Sequence, residues 1–155
     1  MAGRIDSHIK SLGLELPAAS APVANYVPYV QSGNLVFISG QLPMRDGGLL
    51  HVGTVGDTVT SEQAYDAAKL CGLNVIAQAK AACGGDLDRV VRVVKLTGFV
   101  AAGPAFTDQP KVVNGASDLM VQVFGDIGRH CRAAVGAPSL PRGACVEVEA
   151  IFEIS

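Results

Sequence analysis

The segment 88–102, DRVVRVVKLTGFVAA, constrains this chain most. Its β-branched and apolar residues fall on odd and even positions alike. A half-exposed strand alternates apolar with polar residues, so a run apolar on both faces belongs inside a sheet, covered on both sides. One such strand commits the chain to a layered fold with neighbours on either edge.

The flanking segments supply those neighbours. Tyr26 to Gln31 and Asn34 to Leu42 read as two strands joined at Ser32-Gly33, a hairpin signal. The glycine-punctuated MRDGGLLHVGTVGD leaves room for a short edge strand near Leu50 to Val55. Thr60 then opens a helix, because Thr60 and Gln63 have capping-box spacing. Ala64, Ala67, Ala68, Cys71, Val75, Ala79 and Ala82 form one stripe of small residues, and Gly84-Gly85 stops it. A second helix starts at Asp108, read as its cap, with Pro110 in the first turn. Val113, Ala116, Met120 and Val123 or Phe124 make its apolar stripe, and Gly125 or Gly128 ends it. Strands near Arg132–Ala137 and Ala144–Ile154 complete the order ββ(β)αβαββ. This is an α+β layout with a mixed β-sheet and two main helices on one face. The opposite sheet face stays uncovered although its residues are apolar, and oligomerisation is the simplest cover.

A chain of 155 residues makes one domain. We divide it into a short helix and extended arm over 1–24, ending PAASAPVA, and a single domain over 25–155. Only 17% of residues are charged, below the ~25% usual for soluble domains, which again argues for an apolar face buried between subunits. A net charge of −2 gives no general attraction to nucleic acid or anionic membrane. No apolar run approaches the ~20 residues of a membrane span, and the N-terminus is no signal peptide, so a cytoplasmic protein is expected. Cys71, Cys83, Cys131 and Cys145 form no CxxC pair, and the ligand spacing of a zinc site is absent. All four are expected in the core. Walker, GxGxxG, GxSxG and HExxH motifs do not occur, and the three histidines are scattered.

The C-terminal HCRAAVGAPSLPRGACVEVEAIFEIS raises a sharper question. Val146, Val148, Ala150 and Phe152 alternate with Glu147, Glu149 and Glu153, as in a half-buried strand. If Pro138-Ser139-Leu140-Pro141 is a hairpin loop, Arg132 falls directly opposite Glu147 and both share one face. A slip of one residue separates them. Read from the pattern alone, both are either solvated surface charges or the two ends of a site.

The segments PYVQ, LVFISGQLP, VVKLTGFV, VVNG and an arginine followed fifteen residues later by a glutamate together resemble the RidA family of reactive intermediate deaminases, also called YjgF-like. The resemblance runs from about Tyr29 to Phe152, with the N-terminal extension and TDQPKVVNGASDL pointing to a longer-chain branch. It implies a chorismate-mutase-like fold and a homotrimer with clefts between subunits. It also implies cofactor-independent hydrolysis of amino-acid-derived enamines and imines, such as 2-aminoacrylate, to 2-keto acids and ammonia. Carried over by motif, Arg132 binds the carboxylate of a small ligand and Glu147 positions the attacking water. Ser39 and Gly40 line the pocket, Tyr29 closes it, and Asn114 is the asparagine of VVNG. No metal or cofactor is implied; the acidic balance and the lack of an aromatic platform argue against a nucleic acid partner, and no membrane partner is expected.

Those residue types suit that chemistry. A guanidinium offers a planar fork to a carboxylate, and a carboxylate desolvated in a cleft moves toward neutrality, as a proton shuttle requires. The chain departs from the deaminase pattern at three places. His130-Cys131 precede the arginine instead of Pro-Ala, Ala134 replaces a pocket cysteine, and Ser117 replaces a tyrosine. A wider, less aromatic pocket follows. Two other readings stay open: a non-catalytic trimer binding small carboxylates, and the endoribonuclease activity attached to some family members.

Overall fold

The computed structural model describes residues 2–21 and 25–155, so positions 22–24 of the expected arm lie outside the described residues. The elements are α1 (Arg4–Ser11), β1 (Tyr29–Ser32), β2 (Leu35–Gln41), β3 (Met44–Arg45), β4 (Gly48–Leu49), α2 (Ser61–Ala82), β5 (Val90–Ala101), α3 (Gln109–Phe124), β6 (Cys131–Ala137) and β7 (Val146–Ile154). Five strands form one mixed sheet in the order β1-β2-β7-β5-β6, and β3 pairs with β4 in a small separate ribbon. Only β5 and β6 are parallel; the other pairs in the large sheet are antiparallel.

The two-faced apolar run forms the interior strand β5, held between β7 and β6. On one face Leu96, Gly98 and Val100 of β5 join Val148, Ala150 and Phe152 of β7 and Val36 and Ile38 of β2 under the helices. Phe124 of α3 meets Phe152 edge-on at a centroid distance of 5.9 Å, fastening the end of α3 to the middle of the sheet. The expected capping box of α2 is present: Thr60 Oγ1 accepts from the Gln63 N–H, and the Gln63 side chain accepts from the Thr60 N–H. The helix ends at Ala82, where Gly84 and Gly85 take positive φ.

Register places the opposite face in rows. Val30, Phe37, Ile151, Lys95 and Cys131 make one row, and Glu147, Phe99 and Val135 another. Val30, Phe37 and Val135 are exposed, and no described element packs over them. This is the uncovered face the sequence predicted.

α1 is tied to the domain. Asp88 accepts from the N–H groups of Arg4 and Ile5, Lys80 pairs with Asp6 at 2.8 Å, and Ile5 and Ile9 enter the main core. Among the described residues, no helix is long and apolar enough to cross a membrane.

Four local expectations are corrected. No strand forms at 50–55, because His51, Gly53 and Gly56 take positive φ; only isolated bridges at Val52 and Val55 remain. Asp108 does not cap α3 through its side chain: its backbone is not extended, and Pro110 removes an amide that a cap would satisfy. The Lys111 N–H instead bonds the Asp108 carbonyl at 3.0 Å. Cys131 is exposed, unlike the other three cysteines, since it lies on the uncovered face of an edge strand. The fourth concerns the hairpin. β6 and β7 are not neighbours, because β5 lies between them, and residues 138–145 cross over its end instead of forming a hairpin loop.

Candidate functional site

Loss of that hairpin decides how Arg132 and Glu147 are placed. Arg132 pairs in register with Leu96, a residue of the helix-covered face, so its side chain turns toward α3. Glu147 pairs with Phe99 and points to the uncovered face. Within one chain the two lie on opposite faces of the sheet, not on one face as the hairpin register implied.

Arg132 is half-buried at the β6 edge. Its Nη1 donates to Asn114 Oδ1 at 2.7 Å and to Ser117 Oγ at 3.1 Å, two residues one turn apart on α3. These two bonds use both hydrogens of Nη1, and among the described residues the Nε–Nη2 edge is left open. No carboxylate of the described residues lies within ion-pairing distance of it. Ser117 Oγ also lies 2.9 Å from His130 Nε2, and His130 Nδ1 is 2.7 Å from the Gly128 carbonyl. These side chains, with Asp118, Val121 and Arg129, line a shallow depression of about 320 Å³.

Glu147 is built differently. Between Ile38 and Gln41 the β2–β7 register slips by one, so Ser39 and Gly40 together stand opposite Glu149 in a bulge. Gly40 makes room there for the Glu147 carboxylate: a Cβ at position 40 would overlap its Oε1 and come within 3.0 Å of its Cδ. Ser39 closes the bulge, its N–H donating to the Pro28 carbonyl at 2.9 Å and its hydroxyl to Val27 at 2.8 Å. Burial raises the Glu147 carboxyl above its ordinary range, with a further push from Glu149. Beside this bulge runs a cleft of about 260 Å³ bordered by Ser39, Gly40, Tyr26, Pro28 and Arg142. Tyr29 sits on β1, paired with Ile38 and half-buried against the core.

The sequence-derived residues are therefore not all brought together. Arg132 and Asn114 stand at the β6 edge; Glu147, Ser39 and Gly40 meet at the β2–β7 bulge; Tyr29, paired with Ile38, turns to the helix-covered face away from Glu147. The Ser117–His130 connection is the part that sequence reading missed, although both positions stood out as departures from the deaminase pattern. Among the described residues, no group of three or more His, Cys, Asp or Glu side chains is arranged to hold a metal. A groove of about 290 Å³ on the uncovered face, lined by Val30, Phe37, Thr97, Glu149 and Ile151, includes Ser39 but not Arg132 or Glu147.

Residues 6–154 match the family described as "YjgF/chorismate_mutase-like, putative endoribonuclease". The chain is similar to Protein TCP17 of Trypanosoma cruzi, 51% identical over 99% of this chain and 96% of that protein. It is also similar to the 2-iminobutanoate/2-iminopropanoate deaminase of Dermatophagoides farinae, 30% identical over 91% of this chain and 94% of that one. Among solved structures it resembles the protein Atu1372 of Agrobacterium tumefaciens, described as of unknown function. That match is 51% identical with a TM-score of 0.90, covering 97% of this chain and 93% of that chain.

Proposed function

Because the chain belongs to the YjgF/chorismate-mutase-like family, we propose that it is a cytoplasmic, cofactor-independent deaminase hydrolysing small 2-imino acids and their enamines in a site completed by a second copy of the chain. The observation that carries this reading is the open Nε–Nη2 edge of Arg132, held at its back by Asn114 and Ser117. That edge is the fork that receives a carboxylate in a bidentate pair. The catalytic group has to come from elsewhere, since Glu147 of the same chain faces away. A homotrimer that sets the β6 edge of one copy against the β2–β7 bulge of the next would bring Arg132 to a neighbour's Glu147, with Ser39 and Gly40 beside it.

The chemistry follows from those groups. Arg132 holds the carboxylate and fixes the imine carbon beside a water molecule. The imine reacts in its N-protonated form: Glu147 takes a proton from that water as its oxygen bonds to the carbon, giving a neutral carbinolamine. Glu147 then returns that proton to nitrogen, and as the C–N bond breaks the carbinolamine hydroxyl gives up its proton, so protonated imine and water become 2-keto acid and ammonium. An enamine first takes a proton on carbon to become the imine. The raised carboxyl of Glu147 suits both directions of proton transfer.

The test uses imino acid generated in place by an amino-acid oxidase, with release of 2-keto acid followed against the spontaneous rate. Arg132→Ala should stay folded and lose the acceleration. A folded Arg132→Ala protein that hydrolyses at the wild-type rate rejects the assignment. Wild-type protein that binds 2-keto acids without accelerating hydrolysis supports instead the non-catalytic carboxylate-binding reading.

A further inference from the structure

Behind Ser117 stands His130, a side chain with no part in that scheme. Resting on the carboxylate-binding reading of Arg132, we infer that His130, acting through the Ser117 hydroxyl, is a positioning residue that sets the orientation of the Arg132 guanidinium and thereby the affinity for small carboxylates.

The donors and acceptors allow one arrangement. A carbonyl oxygen only accepts, so the 2.7 Å contact with Gly128 places a proton on His130 Nδ1. In a neutral ring Nε2 is then an acceptor. Arginine only donates, so the 3.1 Å contact from Nη1 occupies a lone pair of Ser117 Oγ. The single hydroxyl hydrogen of Ser117 is directed to His130 Nε2, 2.9 Å away. The chain runs from Arg132 to Ser117 to His130 to the Gly128 carbonyl, each hydrogen assigned and none free to turn. Burial and the nearby Arg132 charge both hold the imidazole below its ordinary range, against the opposing pull of the Gly128 carbonyl.

The anchoring is local and rigid. Gly128 is buried at the turn that leads into β6, and a Cβ there would overlap the Met120 carbonyl of α3. The imidazole is therefore referenced to the α3 backbone, and so is the arginine it orients. Without an acceptor at Nε2 the Ser117 hydroxyl turns freely, and its hold on Nη1 loosens while Asn114 still restrains it. The guanidinium can then swing and loses part of its bidentate alignment.

The experiment measures pyruvate affinity by calorimetry, and KM and kcat for imine hydrolysis, on the full chain. His130→Phe should weaken pyruvate binding and raise KM by about tenfold, the worth of one hydrogen bond to this network, with kcat nearly unchanged. His130→Gln, whose amide oxygen can accept from Ser117, should recover most of the affinity. Ser117→Ala should lose at least as much as His130→Phe, and the double variant should be no worse than Ser117→Ala. Nitrogen-15 resonances of His130 in the free protein should show a protonated Nδ1 and a bare Nε2. The Nε2–H tautomer, additive losses, or wild-type KM and affinity in folded His130→Phe each overturn the inference while the proposed activity stands. If wild-type protein neither binds pyruvate nor accelerates imine hydrolysis, the carboxylate reading falls and takes this one with it.

Discussion

Gly40→Ala isolates the bulge from everything else in the site. Gly40 is outside the left-handed region, so alanine is compatible with its backbone. The obstacle is the Glu147 carboxylate, whose Cδ and Cγ lie 3.0 and 3.2 Å from where the new methyl would sit, with Oε1 closer still. Restoring ordinary non-bonded distance requires the carboxylate to retreat by about 1 Å. It ends a flexible, half-buried side chain, so a rotamer adjustment of about 0.5–1.5 kcal/mol absorbs the change and the fold survives. Catalysis is less forgiving. A displacement of about 1 Å at the reacting groups costs about 100-fold in rate, or about 2.7 kcal/mol in the barrier. In the proposed scheme Glu147 acts on the water and Arg132 on the carboxylate, so the loss should fall on kcat and leave KM nearly unchanged. Imine hydrolysis with oxidase-generated substrate, paired with thermal unfolding, separates the two effects. Wild-type kcat in folded Gly40→Ala, or a loss confined to KM, refutes the placement of Glu147 as the catalytic acid/base.

The remaining predictions concern stability. The carboxyl of Glu147 is raised in the folded state, so between the ordinary value of 4.5 and the raised one the folded protein holds a proton that the unfolded chain releases. Its contribution is fully present below pH 4.5 and is lost as pH rises through the folded value. Glu147→Gln removes that slope: it should gain stability over wild type toward neutral pH while losing hydrolysis, and parallel curves of unfolding free energy against pH would contradict this. Gly115→Ala should destabilise, because its methyl would strike the Tyr65 carbonyl and come 3.0 Å from the Lys69 nitrogen on the backbone of α2. Overpacking against backbone costs about 3 kcal/mol and better helix propensity returns about 1 kcal/mol. The net lowers Tm by roughly 5 °C for a chain of this size, and a raised Tm would show that α2 and α3 can separate at no cost.

Much of the fold could be read from local pattern. The two-faced apolar run became the interior strand β5, the Thr60–Gln63 pair capped α2, and the alternation after Cys145 gave β7 its buried and open sides. Each is set by periodicities of a few residues, which depend on nearest neighbours along the chain. The uncovered apolar face followed from counting two helices against one sheet. Local reading erred where backbone φ mattered, at 51–56, and where a side chain had a choice of conformation, at Asp108.

The partnership of Arg132 was another matter. PSLP suggested a turn, and a turn suggested a hairpin. The competing signal was the strand–helix–strand succession of β5, α3 and β6, which brings two parallel strands side by side and leaves β7 to find the other edge of β5. Sequence alone thus determined the main strands and helices, the open apolar face and, through the motif resemblance, which arginine and glutamate to watch. Only the tertiary structure decided that they turn to opposite faces, and that Ser117 and His130 stand behind the arginine. Strand order and helix packing join residues distant in the chain, and no local periodicity encodes which of several compatible strands becomes the neighbour.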